Sequence, residues 1–157
     1  MPLDVRKLSI SLLAPFGAGA IGSIATASSI PTWYAALNKP FFNPPSWIFG
    51  PVWTLLYLLL GIAFYLIWSS KQRTIHKRKA IRYYLIQIIL NTLWSLVFFG
   101  MRTTLGGIII IIPLLIFIVL TMNNAKSVSV TSFLLLVPYV LWVSFATMLN
   151  ISLFLLN

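Results

Sequence analysis

The chain has 157 residues, a mean hydropathy of +0.99 and a formal net charge of +10, and 60% of its residues are hydrophobic. A soluble domain of this size cannot bury so much apolar surface, so the expected solvent is lipid. One acidic residue (Asp4), one histidine (His76) and no cysteine exclude a carboxylate pair, a Ser-His-Asp triad, a disulfide and a thiolate metal site.

The first predicted span covers about 8–30 and is rich in small residues. They repeat every four positions along two lines, Ala14, Ala18 and Gly22 on one and Gly19, Ser23 and Ala27 on the other. Small residues at this spacing let helices approach closely in lipid. An alternative stays open, because Arg6 and Lys7, the apolar stretch and the small residues at 25–27 also fit a cleavable signal peptide.

Residues 31–45 form the predicted connection to the second span, with one helical turn expected over 33–37. Pro31, Pro40, Pro44 and Pro45 restrict the backbone, so this connection is expected to be a stiff loop. Its aromatic residues suit the headgroup level of a bilayer, so a simple interfacial belt is one interpretation. The other is a proline-rich lid over a pocket, and the two are compatible.

The second span is predicted over 46–68. Six residues share one face at spacings of three and four: Gly50, Trp53, Tyr57, Gly61, Phe64 and Trp68. Pro51 cannot donate a hydrogen bond to the carbonyl of Trp47, so a bend is expected just before Trp53.

The remaining spans are predicted over 83–99, 105–122 and 131–156. In the third span Gln87, Asn91 and Trp94 share a face, and the amides must point inward because lipid offers them no partner. The fourth is mostly Ile and Leu and is expected to be largely lipid-facing. The fifth carries Pro138, where a bend is expected, followed on one face by Tyr139, Trp142 and Ala146.

The chain is therefore predicted to be an all-α membrane protein, a single domain over 1–157 forming a five-transmembrane-helix bundle with the proline-rich lid loop between helices 1 and 2. Nine of the eleven basic residues, including six in the predicted loop 71–82, fall on the side of the N-terminus. Lys39 and Arg102 fall on the other side. The positive-inside rule then places the N-terminus and the basic loop in the cytoplasm. Since the rule accounts for nearly all of the charge, no nucleic-acid partner is expected, whereas the basic loop is expected to contact anionic lipid.

A pocket is predicted because helices two and five share one pattern, a proline shortly before a tryptophan. Pro51 precedes Trp53 and Pro138 precedes Trp142. If helices two and five are neighbours, the two indoles face each other across a cavity that Tyr57, Asn91, Trp94 and Ala146 complete. Such a site, with large π faces and no charge, suits a flat apolar polycyclic molecule. The alternative is that aromatic residues at helical spacing simply pack together.

Three stretches of the chain carry a specific set of motifs. They are Trp33-Tyr34, Lys39-Pro40, Pro44-Pro45-x-Trp47, Gly50-Pro51-x-Trp53 and Tyr57; Gln87, Leu90-Asn91, Trp94 and Phe98-Phe99-Gly100; and Pro138-Tyr139-x-x-Trp142-x-x-Phe145-Ala146-Thr147-x-Leu149-Asn150. Over nearly its whole length the chain resembles the translocator protein family, also called tryptophan-rich sensory proteins (TspO/MBR) or peripheral-type benzodiazepine receptors.

This resemblance implies a five-helix bundle, commonly a homodimer, that binds protoporphyrin and other tetrapyrroles, cholesterol and benzodiazepine-type drugs. The ligand-binding residues carried over by position are Trp33, Tyr34, Trp53, Tyr57, Asn91, Trp94, Trp142 and Ala146. Protoporphyrin IX or a haem-like tetrapyrrole is the expected ligand. No cofactor is required and no metal site is expected, since His76 lies among Lys and Arg residues.

The expected function is that of a membrane receptor or sensor. The alternatives are a light-dependent porphyrin-degrading enzyme with Trp53 and Trp142 as its catalytic candidates, a transporter of tetrapyrroles or sterols, and a structural partner protein without a ligand. Two features depart from the family. Residues 151–157 lack the Tyr and the Lys or Arg of a cholesterol-recognition pattern. Helix three has Arg82 and Ile86 where a Gly-x-x-x-Gly dimer seam is expected, so the small-residue faces of helix one are the candidate dimer surface.

Overall fold

The computed structural model describes residues 3–157, which form five long helices. Helix α1 (Val5–Ser29) continues through a π-helical turn (Ile30–Tyr34), and a 3-10 turn (Ser46–Ile48) leads into α2 (Phe49–Ser69). Helix α3 (Ile75–Ser95) continues through a second π-helical turn (Leu96–Gly100), and α4 (Thr104–Lys126) and α5 (Val130–Leu156) follow. Each helix is long and apolar enough to cross a membrane. The all-α, five-span prediction is confirmed.

Four of the five helices begin at a side chain that accepts a backbone N–H from their first turn. Asp4 accepts from the nitrogen of residue 7 at 3.1 Å, and Thr74, Thr103 and Ser129 accept at 3.2 Å from the nitrogen three positions on. Such caps satisfy donors that have no partner within the helix. In α2 the third residue is Pro51, directly after the change from 3-10 to α geometry. The helix therefore changes its geometry on the N-terminal side of Trp53.

Two boundaries differ from the sequence predictions. The basic segment 71–82 is not a loop beyond residue 74, because the Thr74 cap starts α3 two turns before its apolar part. The predicted connection 31–45 also starts later, because helix one continues through the π-helical turn with Trp33 and Tyr34 as far as residue 36. Hydropathy marks only the apolar part of a helix, whereas hydrogen bonding and capping set its ends.

The helices form a ring in the order α1, α2, α5, α4, α3, which α1 closes by packing against α3. Helices α2 and α5 are neighbours, which is the condition that the predicted pocket required, and α2 also contacts α3 across the ring. Helix α4 packs against α3 and α5 through a line of buried residues and exposes the isoleucines of its opposite face.

The small residues of α1 serve contacts inside this ring. A Cβ at Gly22 would lie 2.9 Å from Ser95 of α3, and a Cβ at Gly19 would collide with the ring of Tyr57 in α2. Gly61 of α2 in turn lies against the backbone of α1. The close approach predicted from these residues is therefore present, and α1 is an integral wall of the bundle.

Candidate functional site

A cavity of about 460 Å³, called the large cavity below, lies between α1, α2 and α3. The predicted residues Trp53, Tyr57 and Trp94 form part of its wall, together with Phe49 and Phe99. The rest is mainly small side chains of α1, from Gly19 to Ala27, and among the described residues no charged side chain lines it. The polar side chains that line it carry hydroxyl groups or, in Trp53 and Trp94, an indole N–H, so it can accept an apolar molecule with a few hydrogen-bonding atoms.

The cavity reaches the outer surface of the bundle between α1 and α2. Ala20, Ser23 and Ala27 of α1 and Gly50 and Thr54 of α2 line it and are also exposed. Because this surface faces lipid in a membrane, a lipid-soluble molecule can enter from the side without crossing water.

A second, much smaller cavity, of about 20 Å³, lies where the sequence predicted the pocket. Trp142 and Ala146 of α5 line it with Tyr34, and it shares Phe49 and Trp53 with the large cavity. This volume holds about one water molecule and no ring system.

The indoles of Trp53 and Trp142 therefore do not face each other across one large open space. The reason is that aromatic side chains fill the space between α2 and α5. Phe49 packs its ring 6.1 Å from that of Trp142, and Tyr139 lies 6.3 Å from Trp53. The open volume lies instead beside α1, whose side chains are too short to fill it.

Asn91 lines neither cavity and instead holds one wall residue in place. It is 2% exposed. The Tyr57 hydroxyl donates to its Oδ1 at 3.2 Å, and its Nδ2 donates to the Tyr139 hydroxyl at 3.2 Å. The amide was expected to point inward, and it does so toward two tyrosines on neighbouring helices.

Trp94 is fixed in the same way, since its indole N–H donates to Oδ1 of Asn150 at 3.2 Å. In the sequence analysis Asn150 appears only as the last residue of the motif in helix five. A hydrogen bond from this residue could have been predicted, because an amide in a membrane-spanning helix needs a partner inside the protein. Trp142 differs from Trp94, because its buried indole N–H has no hydrogen-bond partner in the described part of the chain.

The remaining two predicted residues, Trp33 and Tyr34, lie beneath the connection to α2. Tyr34 is 2% exposed, and its hydroxyl donates to Oδ1 of Asn43 at 2.6 Å. The Trp33 ring packs at 5.3 Å from that of Phe98 and lines neither cavity.

Segment 37–45 is clasped to the end of α5 by two asparagines. The Asn38 backbone N–H donates to Oδ1 of Asn157 at 2.9 Å, and Nδ2 of Asn157 returns a hydrogen bond to the Asn38 carbonyl at 3.0 Å. Phe42 adds an edge contact with Phe145 at 6.2 Å. The segment is thus fastened over the end of the bundle where Trp142 and Ala146 lie.

Within residues 3–157 no three His, Cys, Asp or Glu side chains come together as a metal site. His76 is exposed and lies 3.2 Å from Oδ1 of Asn124.

Comparison with known proteins gives one consistent result. The model of the TspO/MBR family matches residues 11–156. The "Tryptophan-rich protein TspO" of Archaeoglobus fulgidus is 44% identical over 155 residues, which cover 99% of both chains. The "Tryptophan-rich sensory protein" of Cereibacter sphaeroides is 33% identical, covering 88% of this chain and 87% of that one. The "Translocator protein" of Bos taurus is 32% identical, covering 95% and 88%.

Proposed function

The chain belongs to the TspO/MBR family, and from this premise we propose that it is a membrane receptor that binds flat, largely apolar polycyclic molecules. Tetrapyrroles, with protoporphyrin IX as the reference ligand, are the proposed class. The bound ring lies in the large cavity between α1, α2 and α3, against Trp53 and Trp94.

The observation that carries this proposal is the cavity itself. Its volume of about 460 Å³ lies within the range of about 300–1,000 Å³ that is usual for small-molecule sites. The aromatic wall offers faces on which a flat ring can stack, and an uncharged wall avoids the cost of burying an unpaired ion in lipid.

The fixed orientation of the wall supports the same proposal. Trp53 and Trp94 lie with ring centroids 6.0 Å apart, and Tyr57 lies 5.5 Å from Trp53. Asn91 and Asn150 hold Tyr57 and Trp94 through hydrogen bonds from behind. A wall that is already ordered loses little conformational entropy when a ligand binds.

Trp142 and Ala146 keep a place in the proposal as a secondary contact. The Trp142 indole N–H is buried and has no hydrogen-bond partner within residues 3–157, and such a donor usually finds an acceptor. An acceptor group at the edge of a bound molecule supplies one if Phe49, which lies between the two cavities, rotates away.

A titration of the purified protein with protoporphyrin IX, followed by quenching of tryptophan fluorescence, tests this proposal. Two glycine variants form a matched pair, because a Cβ at Gly50 or at Gly17 meets no heavy atom within 4 Å. Both glycines are exposed on helices, but only Gly50 lines the cavity. Gly50→Leu is expected to weaken binding and Gly17→Leu to leave it unchanged. Equal affinities in both variants would remove the ligand from this cavity.

The packing of Trp53 favours one second candidate, light-dependent porphyrin breakdown. An indole in contact with a bound ring can pass an electron to the photoexcited porphyrin, which leaves a tryptophan radical cation and a reduced ring. Trp53 lines the large cavity whereas Trp142 does not, so Trp53 is the stronger catalytic candidate. Absorption spectra of porphyrin with wild type and Trp53→Phe, in light and in the dark, separate breakdown from binding.

The proposed orientation places the N-terminus and the start of α3 in the cytoplasm. The charge bias supports this orientation, since this end of the bundle carries nine of the eleven basic residues and basic residues favour the cytoplasmic side.

A further inference from the structure

A straight line of exposed residues runs along α3 from its polar start into the membrane. Five exposed residues follow one another at spacings of three and four: Arg78, Arg82, Leu85, Ile89 and Leu93. This spacing places them on one face of the helix. The three apolar residues are 47%, 60% and 39% exposed in that order. We call this line the α3 stripe. It combines two guanidinium groups with an uninterrupted apolar track below them.

The two arginines find no counter-charge within the chain. Its one acidic residue, Asp4, caps α1 and lies 3.6 Å from Nζ of Lys7. In the described part of the chain neither arginine makes a side-chain hydrogen bond or an ion pair, whereas neighbouring Lys77 donates to the Ser70 carbonyl. The anion that pairs with Arg78 and Arg82 must therefore come from outside the protein.

The length of the apolar track matches one leaflet of a bilayer. From Arg82 to Leu93 the helix rises by about 16 Å, and half of a hydrocarbon core is about 15 Å thick. A headgroup at Arg82 thus places an acyl chain beside Leu85, Ile89 and Leu93 as far as the bilayer midplane.

From these three observations we propose that the α3 stripe is a binding site for one anionic phospholipid. Its phosphate lies between the guanidinium groups of Arg78 and Arg82, and one acyl chain lies along the apolar track. Arginine suits this role because its planar group forms two parallel hydrogen bonds with a phosphate.

Charge also decides against a second copy of the chain on this surface. In a two-fold dimer with its axis along the membrane normal, each residue of a helix seam faces its own counterpart. Arg78 and Arg82 would then meet the same arginines of the other copy, with no carboxylate to compensate. A lipid phosphate turns the same two charges into an attraction.

The test measures which lipids stay bound after reconstitution in vesicles of equimolar phosphatidylcholine and phosphatidylglycerol. The bound lipids are counted by native mass spectrometry after mild detergent extraction. Wild type is expected to retain phosphatidylglycerol in preference to phosphatidylcholine. In Arg78→Gln/Arg82→Gln this preference is expected to fall about tenfold or more. Glutamine keeps the helix propensity of arginine, so the fold is retained.

The matched control is Lys71→Gln/Arg73→Gln, which removes the same charge from the exposed connection before α3. It is expected to keep the preference of wild type. Equal loss in both double variants, or no preference in wild type, would overturn the site, because the attraction would then be diffuse or absent.

Two further arms identify what occupies the stripe. Inorganic phosphate is expected not to displace the lipid, since the acyl chain contributes to binding, and displacement would reduce the site to an anion site. Leu85→Cys is expected not to form disulfide-linked dimers in the same vesicles. Efficient dimer formation through Leu85→Cys would show that a second copy covers the stripe and would overturn the proposal.

Discussion

Replacement of Asn91 by leucine isolates the contribution of one amide to the pocket wall. Leucine has nearly the same shape, so the change mainly removes two hydrogen bonds of 3.2 Å, with Tyr57 and with Tyr139. Hydrogen bonds between membrane helices are worth about 0.6 kcal/mol each on average, whereas a buried hydroxyl left without a partner costs about 1–3 kcal/mol.

The structure decides which of these values applies at each tyrosine. Tyr57 lines the large cavity, where its hydroxyl can find another partner. The free-energy cost at Tyr57 is therefore near the lower value of about 0.6 kcal/mol. Tyr139 is 0% exposed and lines neither cavity, so its hydroxyl meets the full penalty. The sum is about 1.6–3.6 kcal/mol, which corresponds to a decrease in Tm of about 3–14 °C for a chain of this length.

Thermal unfolding in detergent, at one scan rate for all variants, measures this decrease. In a Tyr139→Phe background the same Asn91→Leu change is expected to cost less, because the buried hydroxyl is already gone. An unchanged Tm for Asn91→Leu, or the same cost in both backgrounds, would refute the assignment of Asn91 as the residue that holds the wall.

Three further predictions follow from individual contacts. Gln87 is 0% exposed and neither of its amide atoms has a hydrogen-bond partner among residues 3–157, so Gln87→Leu is expected to raise Tm, whereas a decrease would mean that the amide is satisfied in the membrane. Asn157→Ala removes two hydrogen bonds to Asn38 and is expected to speed amide hydrogen exchange in the connection before α2. Unchanged exchange would show that these two hydrogen bonds do not hold the connection in place. Because the chain has no cysteine, Arg73→Cys and Arg102→Cys can be labelled one at a time in intact cells, and an impermeant reagent is expected to reach only the second.

The helices themselves could be predicted from the sequence, and their ends could not. Hydropathy and proline positions indicate five spans because lipid requires long apolar segments with internal hydrogen bonds. The start of α3 is polar, so it resembles a loop until the cap at Thr74 is recognised. At Trp33 and Tyr34 the sequence predicted one separate helical turn inside the proline-rich connection, whereas helix one continues through them with π geometry.

The candidate site was predictable where large side chains form it. Trp53, Tyr57 and Trp94 were predicted in the wall and lie there. The contribution of α1 was missed, because its small residues create the cavity by what they leave unfilled. Their spacing was interpreted as helix packing alone, and it serves packing at Gly22 and cavity formation at Ser23.

The open volume beside Trp142 is only about 20 Å³ for a different reason. Residues at matching positions on neighbouring helices do not face an open space when a third aromatic residue, here Phe49, packs between them. Periodicity along one helix carries no information about the side chains that a neighbouring helix inserts.

The location of a bound tetrapyrrole tests the central claim most directly. A structure of the protein with protoporphyrin IX in lipid nanodiscs is predicted to show the ring between α1, α2 and α3, in contact with Trp53 and Trp94. A ring on the lipid-facing surface, or one confined to the Trp142 side with the cavity beside α1 left empty, would contradict the account.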